Sequence, residues 1–143
     1  MNYTGRTLAE GRLAIARERL KETQSLLRGG FFKGAVTRSY YASFAAMRAL
    51  LALKRVDSKT HKGVLYLFHE HYVKTGLFPK DFAVFAGRAK NLRELADYDE
   101  LAEVSADNAR AEYAAAAKFV AAVEKFMKES KPAKSKDERK AKR

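Results

Sequence analysis

The segment Phe32–Leu53 constrains the fold more than any other part of the chain. It reads FKGAVTRSYYASFAAMRALLAL, and Val36, Tyr40, Tyr41, Phe44, Met47, Leu50 and Leu51 place apolar groups on most faces of a helix. A helix apolar nearly all round has to be central to its domain or shared with a second subunit. Gly29 and Gly30 precede it, as glycine suits the left-handed turn that ends a helix. Two arginines on this helix, Arg38 and Arg48, are ten apart. An arginine on an apolar helix needs a partner, either an acid across an interface or a bound anion. An acid is the expected partner for Arg48, and Arg38 is left as a candidate for the anion.

Helical periodicity accounts for the rest. A first helix is expected over residues 7–27, with Leu13, Ala16, Leu20 and Leu27 near one face. A third is expected over 60–74 on Val64, Leu67, Phe68, His71 and Tyr72. A fourth follows Pro79 over 80–98, with Phe82, Phe85, Ala89, Leu92 and Ala96 inward. A fifth, capped by Ser105, runs to residue 128 on Ala109, Tyr113, Ala116, Val120, Val123 and Met127. No stretch alternates apolar and polar residues as a strand would. The expected fold class is all-α: an up-and-down antiparallel helical bundle of four long helices plus a shorter one. Residues 1–129 form the domain, and residues 130–143 are expected to be a disordered basic tail.

With 143 residues, one domain with a substantial core is expected. The chain has no cysteine, which excludes disulfides, thiolate metal sites and cysteine nucleophiles. No apolar run approaches the roughly 20 residues of a membrane helix, and charges interrupt the N-terminus where a signal peptide would be apolar. A cytoplasmic protein with no membrane association is the expectation. Net charge is +12, which favours a polyanionic partner. Residues 130–143 hold seven bases and two acids, and residues 1–129 hold 22 and 15. The charge is therefore spread, and it does not locate a site.

Four fragments carry a resemblance. They are RSYYASFAAMRALL (38–51), SKTHKGV (58–64), FHEHYVKTGLFP (68–79) and NLRELADYD (91–99). Together, in this order, they resemble small stand-alone prokaryotic HEPN domain proteins over about residues 9–127. The resemblance implies an all-α homodimer and a small nucleotidyltransferase as partner, in a toxin–antitoxin type of pair. It also implies action on RNA, in many members as a metal-independent endoribonuclease. Active members carry an arginine followed after four to six residues by a histidine, and two such pairs meet across the dimer. Arg93 matches the arginine, but the residue five positions on is Tyr98, and no histidine follows His71. The small branch carries Asp-Tyr here, as at Asp97-Tyr98. In some HEPN toxins a tyrosine of this motif is modified by the nucleotidyltransferase, which makes Tyr98 a candidate acceptor.

RNA cleavage without a metal needs a base for the 2′-hydroxyl, a cation for the phosphorane and an acid for the leaving oxygen. Arg93 suits the phosphate because its fork binds two oxygens. Tyr98, with an ordinary pKa near 10, is a poor base but can be an acid or donor. The candidate catalytic set is Arg93, Asp97 and Tyr98. The candidate RNA- or nucleotide-binding set is Arg38, His61 and Lys90. Other readings stay open. Arg93 and Asp97 can form an ion pair within one helix, worth about half a kcal/mol at most. Tyr98 can be a buried aromatic at a helix end, and His61 a locally bonded residue at a helix start. Tyr40, Tyr41, Phe44 and Met47 read as core or dimer surface. His69 and His71 are two apart and point to different faces, so no metal is expected, and no cofactor. The alternative to a ribonuclease is a non-catalytic helical module that binds its partner or a nucleotide.

Overall fold

The computed structural model describes residues 3–130. It is an all-α helical bundle: α1 (Gly5–Gly29), α2 (Phe32–Leu53), α3 (His61–Phe68), α4 (Lys80–Tyr98) and α5 (Ala106–Glu129). The expected tail, apart from Ser130, lies outside the described residues. Side chains of Thr4, Thr60 and Ser105 accept hydrogen bonds from backbone amides of the first turns of α1, α3 and α5, satisfying donors that a helix start leaves unpaired. Gly30 ends α1 with φ 79°.

The senses of the helices follow from residues that meet across them. Arg12 reaches Arg48 near one end of α1 and α2, and Glu22 pairs with Arg38 near the other, so these two run antiparallel. Thr37 with Asp97 and Tyr40 with Arg93 make α2 antiparallel to α4. Arg6 with Met127 and Gln24 with Tyr113 do the same for α1 and α5. The short helix breaks this sequential alternation. His61 meets Tyr40 and Tyr72 meets Leu50, so α3 and its continuation run in the same sense as α2. Residues 54–60 travel back along α2 first, and Asp57 is tied to Arg48 on the way.

α3 does not continue as a regular helix to residue 74. His69–Val73 form one π turn, a wider turn in which Phe68 and Tyr72 both stay on the core side. Tyr72 donates its buried hydroxyl to the Leu50 carbonyl. Gly63 sits where a Cβ would overlap the Ser58 hydroxyl and crowd Thr60. The tight start of α3, which fixes His61, therefore requires glycine there.

α2 packs against every other helix, as its apolar faces demand. Its buried residues join Leu13 and Ala16 of α1, Val64 and Phe68 of α3, Phe85 and Ala89 of α4, and Val120 and Val123 of α5 in one core. Phe119, which the periodicity did not single out, lies at the centre of an aromatic group: Phe82 at 5.1 Å, Phe68 at 5.4 Å, Phe78 at 6.3 Å and Phe85 at 6.5 Å between ring centres. A smaller cluster of Ala35, Val36, Ala96 and Ala109 closes the α1–α2 turn end.

Candidate functional site

Residues 37, 40, 41 and 44 share one face of α2, at the spacing that stacks side chains on a helix. Opposite them, α4 presents residues 90, 93, 94 and 97 at the same spacing. His61, the first residue of α3, completes the group because the capped turn holds it against Tyr40 and Phe44.

Arg93 is at the centre. Its side chain is only 7% exposed. The guanidinium lies 5.1 Å from the Tyr40 ring centre and 5.9 Å from those of Tyr41 and Tyr98, a cage of three π faces around a desolvated cation. One nitrogen pairs with Asp97 at 3.3 Å, and Asp97 also accepts from Thr37 at 2.9 Å. The buried Nε has no hydrogen-bond partner among the described residues. Burial works against the charge, but the Tyr98 hydroxyl and the Asp97 carboxylate outweigh it, so Arg93 is held above its ordinary pKa.

Tyr40 links this cation to the histidine. Its hydroxyl is 2.7 Å from His61 Nδ1, and its phenol is pushed up to about 12 by burial, against the pull of Arg93. The His61 ring stacks on Phe44 with centres 4.3 Å apart. Burial, then the charges of Arg93 and Lys90, pull the His61 pKa down, and Glu94 opposes them. His61 is thus neutral at pH 7 and above. A phenol can donate to His61 Nδ1 or accept from it. With Tyr40 as the donor, the neutral imidazole carries its own proton on Nε2, which has no partner among the described residues.

The depressed pKa predicts a pH dependence of stability. The unfolded chain takes up the His61 proton near pH 6.5, and the folded chain only at a lower pH. The contribution is complete above pH 6.5 and is lost as pH falls through the folded value. Urea midpoints should therefore fall from pH 7.5 to pH 5 more steeply for wild type than for His61→Gln. Equal slopes would show that burial and the Arg93 and Lys90 charges do not bias this imidazole.

Five of the six candidate residues come together here: Arg93, Asp97, Tyr98, His61 and Lys90. Lys90 is 2.6 Å from Glu94 one turn on. Tyr98 is not a buried aromatic: it is 77% exposed. Arg38 lies elsewhere, paired with Glu22 of α1 at 3.2 Å. Arg48 pairs with Asp57 at 2.9 Å, an acid of its own chain. Tyr40 is the functional residue the sequence hid. It read as core, and it is buried, but its hydroxyl joins the two polar halves of the site. Among the described residues no three His, Asp or Glu side chains converge as a metal site, and no helix is long and apolar enough to cross a membrane.

The chain is similar to known proteins along most of its length. Over 118 residues the chain is 36% identical to a UPF0332 protein of Thermotoga maritima, covering 82% of this chain and 89% of that one. It is 33% identical over 119 residues to the protein named "Putative toxin MJ0605" of Methanocaldococcus jannaschii, covering 82% and 87%. It is also 33% identical over 94 residues to "Putative toxin MJ0142" of the same organism, covering 66% and 64%. Residues 9–129 match the HEPN domain. With all five helices inside or overlapping that match, the chain belongs to the HEPN domain family.

Proposed function

We propose that this chain is a toxin-like HEPN subunit that works as a homodimer with a nucleotidyltransferase partner and holds an RNA phosphate at the Arg93–Tyr40–His61 cluster. The observation that carries this reading is the 2.7 Å bond between Tyr40 and His61. It brings a histidine to the motif arginine, although the two are thirty-two positions apart and in the opposite order from the family's motif. The outward Nε2–H is a neutral donor suited to a non-bridging phosphate oxygen, and Lys90 adds a cation beside it. Arg93 contributes its field through the tyrosine cage, and direct contact by its guanidinium follows when the exposed Tyr98 turns aside. The dimer reading is supported by Leu95, Tyr98 and Leu101, large exposed apolar residues in and just after the last turn of α4. The exposure of Tyr98 equally suits modification by the partner enzyme.

A second reading, metal-independent ribonuclease, is favoured by the same meeting of arginine and histidine. Cleavage would move the 2′-hydroxyl proton to a base while O2′ attacks phosphorus. The P–O5′ bond breaks, a proton goes to O5′, and a 2′,3′-cyclic phosphate remains. With its proton on Nε2, His61 is placed to donate to the phosphorane rather than to act as that base. One assay in EDTA separates the readings. Labelled single-stranded RNA should be retained by wild type and at least about tenfold more weakly by His61→Gln and Lys90→Ala, as expected for losing contacts to a charged group. Intact RNA recovered from wild type supports binding alone. RNA cut by wild type and left whole by His61→Gln supports the ribonuclease. Equal retention by all three proteins would remove the site from both readings.

A further inference from the structure

A cleft of about 610 Å³ opens between α2 and the returning segment 54–60, lined by Phe44, Arg48, Asp57, Ser58, Lys59 and His61. That volume suits a small ligand the size of a nucleotide. Its charge is unbalanced. Two arginines share the one carboxylate of Asp57: Arg48 at 2.9 Å and Arg12 at 3.2 Å. Arg12 also donates to the Arg48 carbonyl at 3.0 Å, which holds the two cations together. Asp57 stays ionised: burial alone would raise its pKa, but Arg48, the Ser58 amide and Arg12 hold it below the ordinary carboxylate range. Burial first, and then the nearby Arg48 charge, depress Arg12 against the pull of Asp57. Lys59 is exposed and has no ion-pair partner among the described residues. Phe44 gives the cleft an apolar wall.

We infer that this cleft is a phosphate-binding subsite, formed by Arg48, Lys59 and the Nε2–H of His61, for the phosphate of a nucleotide. It shares the Nε2–H of His61 with the cluster proposed above but uses Arg48 and Lys59 in place of Arg93 and Lys90, so variants at Lys59 and Lys90 test the two apart. Sharing Asp57 with Arg12 leaves Arg48 only partly neutralised beside an open volume, and Lys59 adds a further cation to it. A phosphate supplies the missing negative charge and accepts from guanidinium, ammonium and imidazole donors at once. The same chemistry is offered by the monoester of a free nucleotide and by a diester within RNA.

AMP is the probe, added without RNA to the full chain while histidine ring ¹⁵N signals are followed by NMR. AMP is expected to shift the His61 signals, and Lys59→Glu to weaken its binding by about tenfold. Lys21→Glu, the same charge change at an exposed position of α1 away from the cleft, is expected to bind AMP like wild type. An unmoved His61, unchanged affinity in Lys59→Glu, or equal weakening by both variants would overturn the inference, the last by showing a non-specific field. A single-stranded RNA that displaces AMP assigns the phosphate to a diester; an RNA that leaves AMP bound assigns it to a free nucleotide. Failure of RNA retention with the AMP shift intact removes the cluster reading and keeps this one, and the reverse outcome removes this one.

Discussion

Arg93→Ala should cost about 2–4 kcal/mol of unfolding free energy, well above the half kcal/mol of an exposed pair four apart on a helix. The reason is burial. At 7% side-chain exposure, with three tyrosine rings within 6 Å of its guanidinium, Arg93 fills a volume that alanine leaves empty. Its loss removes a desolvated cation–π assembly and leaves Asp97 with only Thr37 as partner. Arg93→Lys should recover less than half of the cost, because an ammonium on a flexible stem cannot lie flat among the rings. Urea unfolding of the three proteins at pH 7.5 checks this. A cost below about 1 kcal/mol for Arg93→Ala would reduce Arg93 to an ordinary helical ion pair.

Phe119→Ala should be at least as damaging, by about 3–5 kcal/mol. Phe119 is fully inside the core, and its ring joins α5 to Phe68 of α3, to Phe82 and Phe85 of α4 and to Phe78 before α4. Alanine leaves a cavity that rings held by other helices cannot collapse to fill. Phe119→Leu, which keeps most of the volume, should cost about 1–1.5 kcal/mol. Similar midpoints for the two variants would mean that the aromatic group repacks freely.

The two substitutions also show what could be read in the residues and what could not. Helix positions were legible because apolar spacing and capping are local. The bounds of α2 and α4 agree with the periodicity, Ser105 and Gly30 cap where such residues should, and α1 only extends two residues further at each end. Phe119 falls on the same stripe as Ala116, Val120 and Val123, but what makes it the centre of the core is its meeting with the aromatic residues of α3 and α4, which no spacing shows. The π turn at His69–Val73 has no periodic signal either, since Phe68 and Tyr72, four apart, share a face in a regular helix as well.

For the site, one helix was legible and the others were not. Arg93, Asp97 and Lys90 share a face of α4 by spacing alone. His61 read as a candidate binding residue or as one bonded within its own helix start, and its contact with Tyr40 was hidden because it depends on residues 54–60 folding back along α2. That path is set by Asp57 bridging two arginines and by the room that Gly63 leaves for Ser58, none of which has a periodic signal. In the proposed function the missing motif histidine is answered by His61, which precedes Arg93 in the chain.

The most direct test of the cluster as an RNA phosphate site is a ¹H–¹⁵N correlation of the histidine rings at pH 7.5, with and without single-stranded RNA. The account predicts a neutral His61 protonated at Nε2, loss of that tautomer preference in Tyr40→Phe, and movement of the Nε2 signal on adding RNA. A His61 protonated at Nδ1, or an Nε2 signal unmoved by saturating RNA, would contradict it.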